Sequence, residues 1–538
     1  MTTSGCELPD DLSTAHELIR DLAKTVHTQE HLIAKLQHQL EQLLRHRFGR
    51  KSEKIDPDQL LLFAREILAE LGTAPAEAEP AAQEQPPAAD ITAAPAKKNG
   101  HGRKPLPASL PRKRVLHDVE LEQLPCPDCG TVRIKIGEEV REQLEYVPAS
   151  LIVLQHVRPK YACEPCEGNV TIAERFPEPI EKGLPGPGLL AQVIVSKYAD
   201  HLPLYRQERI FARQGVELSR QTTCGWMAVS AELLAPICQA MLRRVLQSRV
   251  IQTDDTPVKV QDPRTGTMST GRLWAYLGDW SHPFIVYDYT PDRSAEGPRR
   301  ILADFRTGFL QADAYSAYDQ IHARGILEVG CMAHARRKFD EAKTTDPPRA
   351  HAALAWIARL YQIEREAKEE VAEAIERLTR GDPLDAVERV IREQRLAEEI
   401  TQGLRQEQSR PVAEKFGQWL ETTAGSVLPK SPIGEAISYA RSHWAALTRY
   451  RDFGFLSIDN TAAERALRPV AVGRKNWLHL GSDKGGRTAA VLMSLVQSCR
   501  ALKVEPFAYL RDILERVSTH PASRIAELLP DAWKPSSS

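Results

Sequence analysis

Apolar residues recur every seven positions near the start of the chain, at Ile19, Val26, Ile33 and Leu40, and three places later at Leu22, Gln29, Leu36 and Leu43. Branched residues at most first positions and leucine at most second ones favour a parallel two-stranded coiled coil, with the polar Gln29 as a register device. This leucine-zipper-like segment spans residues 12–48. An amphipathic helix packed on its own domain is the other reading, but no core-forming sequence stands nearby. Residues 49–72 form a short basic and helical segment. Between 73 and 96 stand ten alanines, five prolines, four acids and no aromatic, a composition that buries too little apolar surface to offset its ordering entropy. A linker over 73–114 is therefore expected. Its second half, from Lys97, carries seven Lys or Arg and no acid. There Gly102-Arg103-Lys104-Pro105 has the form of an arm that lies in a DNA minor groove, and equally that of a solvated linker.

Farther on, the periodicity changes twice. Residues 181–247 read as helical. The stretch Leu204 to Arg213, Gly215, an N-cap at Ser219 and a second helix through Trp226 have the shape of a helix-turn-helix, with Arg220, Gln221 and Thr222 able to face a groove. A helix pair of this kind is also common in protein cores. Short β-rich runs then dominate: Arg249 to Asp254, Gly271 to Asp279, Phe284 to Tyr289, Gly308 to Asp313 and Ile326 to Cys331. Helices are expected near Ala295 to Ala303 and from Ser316. The order β-β-β-α-β-α-β-α is that of an RNase H-like core, first part 248–339. A helical pattern over 340–452, as in Ala352 to Ala374 and Asp385 to Leu404, reads as an insertion. The core closes over 453–520, and 521–538 is a tail. The fold class is thus α/β and multidomain.

Composition changes this picture in two ways. Lys and Arg number 71 against 72 Asp and Glu, so the 538-residue chain carries a net charge of −1 and is no uniformly basic coat protein. No apolar run approaches the ~18 residues of a membrane span, and Met1 to Asp10 lacks the form of a signal peptide, which points to the cytoplasm and to no membrane partner. The cysteines are the second point. Cys126-Pro-Asp-Cys129 and Cys163-Glu-Pro-Cys166 are separated by 33 residues. Two such knuckles complete a tetrahedral structural zinc site within a ribbon-like domain over 115–180; a redox dithiol and an iron–sulfur centre lack supporting context. Four thiolates leave that zinc no open position for catalysis.

The candidate chemistry is carboxylate chemistry. In the expected core, Asp254 and Asp313 end the first and fourth strands, side by side, 59 residues apart in sequence. Glu464, on a helix capped by Asp459 or Asn460, is the best third acid. Three such acids repel one another unless divalent ions relieve them, and two ions ~4 Å apart activate a water or 3′-hydroxyl and stabilise the leaving oxygen. Oxygen ligands suit Mg²⁺ or Mn²⁺. Arg465, Arg468, Arg474 and Lys475 beside Glu464 could hold DNA phosphates. Cys331 and His334 have ligand spacing but stand alone; His334, Arg336, Arg337 and Lys338 are substrate-contacting or structural groups.

The chain resembles the DDE transposases of the insertion sequence sixty-six family, the TnpC-type proteins. The resemblance rests on Arg47 to Lys54 (Arg-Phe-Gly-Arg-Lys-Ser-Glu-Lys), the two cysteine pairs and Lys197 to Arg206 (Lys-Tyr-Ala-Asp-His-Leu-Pro-Leu-Tyr-Arg). It continues through Thr253-Asp-Asp-Thr-Pro257, Leu310 to Tyr315, Cys331 to Phe339 and Asn460 to Trp477. It implies that Asp254, Asp313 and Glu464 are catalytic and that the reaction is DNA strand cleavage and transfer at the terminal inverted repeats of a bacterial element, into target DNA. It also implies accessory proteins of the same element. One departure is Asp255, where the family usually has glutamate; by strand alternation only one of the adjacent aspartates can face the metals, and motif position selects Asp254. The rival functions are an RNase H-like nuclease without strand transfer and a DNA-binding regulator that has lost catalysis.

Overall fold

A computed structural model describes residues 151–156, 160–163, 168–172, 178–181, 183–262, 264–381 and 385–535, together with the single positions His16, Arg20 and Lys24. Those three are helical and exposed, and none is a seam position of the heptad, so the seam lies outside the described residues. The chain divides into two compact units, Ala78–Ile172 and the remainder. Of the first, the description covers an antiparallel pair, β1 (Lys160–Cys163) and β2 (Gly168–Ile172), in which Cys163 lies opposite Gly168. Cys126, Cys129 and Cys166, and likewise Arg103 and Lys104, lie outside the described residues.

The second unit opens with α1 (Pro187–Tyr198), α2 (Leu204–Arg213) and α3 (Arg220–Val245). Gly215 (φ +84°) makes the turn between α2 and α3 in a left-handed conformation that costs a glycine little, and the Ser219 hydroxyl caps α3 by accepting from Thr222 N at 3.1 Å. The helix-turn-helix shape read from the sequence is present. By length and composition α3 could also cross a membrane. Here, however, Leu234, Ile237, Met241 and Val245 are buried in the protein core.

A five-stranded mixed sheet follows: β3 (Val250–Gln261), β4 (Met268–Leu277), β5 (Ile285–Thr290), then α4 (Glu296–Ile301), β6 (Phe309–Gln311), the short α5 (Asp319–His322) and β7 (Leu327–Val329). Its spatial order is β5-β4-β3-β6-β7, with β3 antiparallel to β4 and parallel to β6. The strand expected to end at Asp254 runs on to Gln261, because it keeps pairing with β4 as far as Met268 and keeps burying Thr256, Val258 and Val260 on alternate residues.

Beyond β7 the chain turns helical, and over 340–452 this follows the sequence pattern: α6 (Met332–Ala342), α7 (Pro347–Gly381), α8 (Ala386–Leu404), α9 (Arg410–Ala424), α10 (Pro432–Ser442) and α11 (Trp444–Thr448). These helices share one core with the sheet, in which Val250, Phe309 and Val329 meet Met332, Phe339, Trp356, Phe416 and Ile437. A single π-helical turn, Arg405–Ser409, joins α8 to α9 and turns Arg405 inward. The Arg405 guanidinium grips Glu364 of α7 at 2.7 and 2.6 Å and donates to the carbonyls of Tyr450 and Phe453 at 2.9 and 2.8 Å. The chain ends with α12 (Thr461–Trp477), α13 (Asp483–Ala501) and α14 (Pro506–Arg516).

Candidate active site

The last paired row of the parallel strands is Gln252, Gln311 and Val329. Two residues farther along each strand come Asp254, Asp313 and Cys331, on the face that the row of Val250 and Phe309 shares with the helical core. Across β4 the same register runs from Asp254 through Ala275 to Tyr287, whose hydroxyl donates to the Ala466 carbonyl of α12. That contact lays the first turns of α12, and with them Glu464, over Asp254. The Asp254 carboxyl is pushed up to about 7, chiefly by burial. The hydrogen bond it accepts from Asp255 N (2.8 Å) opposes this, while the charges of Asp313, Asp255 and Glu464 add to it. Among the described residues no Lys, Arg or His pairs with Asp254.

Its neighbour is treated in the opposite way. Asp255 points to the other face and is 3% exposed, held by Arg272 at 2.9 Å and by Arg293 Nε at 3.0 Å. Arg293 also reaches Asp313 at 3.5 Å and lies on the Tyr315 ring, 4.0 Å from its centroid, while Tyr315 stacks on Trp274. Asp313 is raised by burial, with His334 and Arg293 opposing. The two adjacent aspartates, ambiguous in sequence, are thus distinct in structure: one carboxylate is neutralised by two arginines, the other faces only carboxylates.

Asn460 joins the parts; the sequence marked it only as a possible cap and as the start of the motif Asn460 to Trp477. It is fully buried, and its side-chain amide donates to the Thr253 carbonyl at 2.7 Å. Its backbone N–H donates to Cys331 Sγ at 3.3 Å, and its carbonyl accepts from Glu464 N at 3.3 Å. Asn460 is the N-cap of α12 but its side chain makes no capping bond; Asp459 just before it accepts from Thr461 N (3.0 Å) and from the Tyr361 hydroxyl of α7 (2.8 Å). Cys331 and His334 do not stand alone: with Glu464 they present ligand atoms within 4.8 Å of one another. Burial pushes the Cys331 thiol up to about 11, and its sulfur accepts the Asn460 N–H and so helps to position Asn460. His334, lowered by burial, lies 3.9 Å from Glu464, as does Arg337.

The other candidate cations divide. Arg474 turns inward to Thr256 Oγ1 (3.1 Å) and the Pro257 carbonyl (2.8 Å), which makes it a tie between α12 and β3. Arg468 and Lys475 are exposed on α12, Arg220 is exposed in the first turn of α3, and Arg336 is half-buried on α6.

Residues 182–488 match the transposase IS66 family. The chain belongs to that family. Three further matches cover other parts of the chain: the "Transposase C of IS166 homeodomain" over 35–115, the zinc-finger binding domain of transposase IS66 over 124–167, and the IS66 C-terminal element over 494–530. Among similar proteins are three of Sinorhizobium fredii, all described as uncharacterized. The protein y4hP is 33% identical over 93% of this chain and 89% of its own length. For y4jD the figures are 33%, 80% and 81%, and for y4qI 35%, 81% and 79%. As an IS66 family member the chain is a transposase with a zinc-finger domain, and DNA is the partner this implies.

Proposed function

We propose that this transposase cleaves and joins DNA at the terminal inverted repeats of its element, with Asp254, Asp313 and Glu464 as the acids of an RNase H-like centre. The observation that carries this is the cationless Asp254 carboxylate, two residues beyond the last sheet row beside Asp313, with Glu464 over it. Hard oxygen donors of like charge fit Mg²⁺ or Mn²⁺. When bound, the metal would neutralise the carboxylates and supply an activated hydroxyl and stabilisation of the leaving oxygen. The rest falls to the chain's own groups. Asn460 fixes the separation of β3 and α12, Arg293 holds Asp313 in place, and the exposed cations of α12 bind phosphates. The four cysteines at 126, 129, 163 and 166 would hold a structural Zn²⁺ in the end-recognition domain, and the 12–48 coil would pair two copies at the nucleoid of a bacterial cell. Small proteins of the same element would assist.

Purified protein, Mg²⁺ and a duplex bearing the terminal repeats should give 3′-end nicks and joined products. Nicks without joining would favour the plain nuclease; binding with neither would favour a regulator.

A further inference from the structure

From Asn460 to Ser482 the sequence carries a single acid, Glu464, against Arg465, Arg468, Arg474 and Lys475. On α12, Arg465, Arg468, Val472 and Lys475 are all exposed. At 100° per residue they fall within about 80° of arc, a stripe whose border is Glu464. Helix α2 repeats the pattern. Arg206, Arg209 and Arg213 are exposed and share about 60° of arc, opposite the buried Leu204, Gln207 and Phe211. The two stripes meet: Arg206 Nη1 donates to Asn476 Oδ1 of α12 at 3.5 Å, and His201, just before α2, lies against Gly473. Among the described residues none of these six cations pairs with a carboxylate. Exposed arginines elsewhere commonly do, as Arg249 does with Glu398 and Arg441 with Glu421.

We infer that α12 and α2 form one continuous phosphate-binding track, which holds the duplex of the element's end as it leaves the carboxylate centre and leads it towards α3, the second helix of the helix-turn-helix. The inference rests on the strand-transfer reading and adds a path and three residues, Arg206, Arg209 and Arg213, that the acids do not imply. Six unpaired cations on adjoining helices suit a polyanion, and a track that begins at Glu464 suits the strand being cut there. From Glu464 to Lys475 is eleven residues, about 16 Å of helix, or about five base pairs. Contacts to α2 therefore begin beyond that distance from the cleaved bond.

The test uses the full-length protein with its zinc, and terminal-repeat duplexes that extend either about four or about twelve base pairs from the cleavage position. Wild-type protein should bind the longer duplex more tightly. Arg206→Ala, Arg209→Ala and Arg213→Ala together should abolish most of that gain and flatten the plot of log affinity against log salt by about 2 to 3 for three lost phosphate contacts. Replacing the same three arginines by lysine should restore the slope. An unrelated duplex of equal length should show a smaller length-dependent gain; an equal gain would mean the track takes target DNA and would overturn the assignment to the element's end. A triple alanine variant with an unaltered slope would overturn the track itself. That failure is separable from failure of the catalytic reading, because Asp254→Asn keeps the slope while losing cleavage.

Discussion

Two aspartates that the sequence presents as near equivalents are assigned opposite duties by their surroundings. Asp255 meets Arg272 and Arg293, whereas Asp254 meets buried surface and other acids. Strand alternation made it legible that the two would face apart. Which of them would be left without a cation was not, since Arg272 comes from β4 and Arg293 from the loop after β5, each brought there by pairing across the sheet. The electrostatics carry a stability prediction. With the carboxyl of the folded metal-free protein near 7, the folded state keeps a proton that the unfolded chain releases near its ordinary carboxylate value. Stability associated with that proton is present below about pH 4 and is lost as pH rises through 7, after which the loss levels off. Asp254→Asn removes the loss. Its melting temperature in chelator should match wild type near pH 4 and exceed it increasingly towards pH 8, where the difference amounts to a few kcal/mol. A gain independent of pH would contradict the burial of an unpaired carboxylate.

At the scale of elements, the helices and strands were largely legible, and their tertiary roles were not. Leu204–Arg213 and the Ser219 cap follow from local chemistry, because a hydroxyl accepting from the third residue on is a local event. The extra length of β3 depends on a partner strand, and the partnership of Cys331, Asn460 and Glu464 spans more than a hundred residues of chain. The helices from α7 to α11 read as an insertion; they share one core with the sheet and with α6 and so can set its geometry. Their most exacting contact is the Arg405–Glu364 pair, in which the arginine is 2% exposed. Breaking it leaves a buried charge without a partner, so Glu364→Gln should cost about 3 to 5 kcal/mol in urea denaturation. Replacing both residues with apolar ones of similar volume should recover much of the loss, and a single substitution without effect would mean the pair is solvated.

For the molecule as a whole, a net charge of −1 conceals a division of labour. Among the described residues, cations without a carboxylate partner line α12 and α2 and acids collect at the centre, while the heptad segment is proposed to pair two copies. Removal of residues 1–48 should halve the mass measured by light scattering and weaken binding to paired ends more than to a single end; an unchanged mass would refute the coil as the dimer contact. Chelation of zinc should abolish end binding before the catalytic unit melts.

The most direct measurement is the single-turnover cleavage rate in Mg²⁺ of a terminal-repeat duplex by wild type and four isosteric variants. Asp254→Asn, Asp313→Asn and Glu464→Gln should each lower the rate by about a thousandfold or more while end binding persists. Asp255→Asn, which removes a carboxylate already paired with two arginines, should stay within about tenfold of wild type. The opposite order, with Asp255→Asn inactive and Asp254→Asn active, would contradict the assignment, and four active variants would remove the carboxylates from the chemistry altogether.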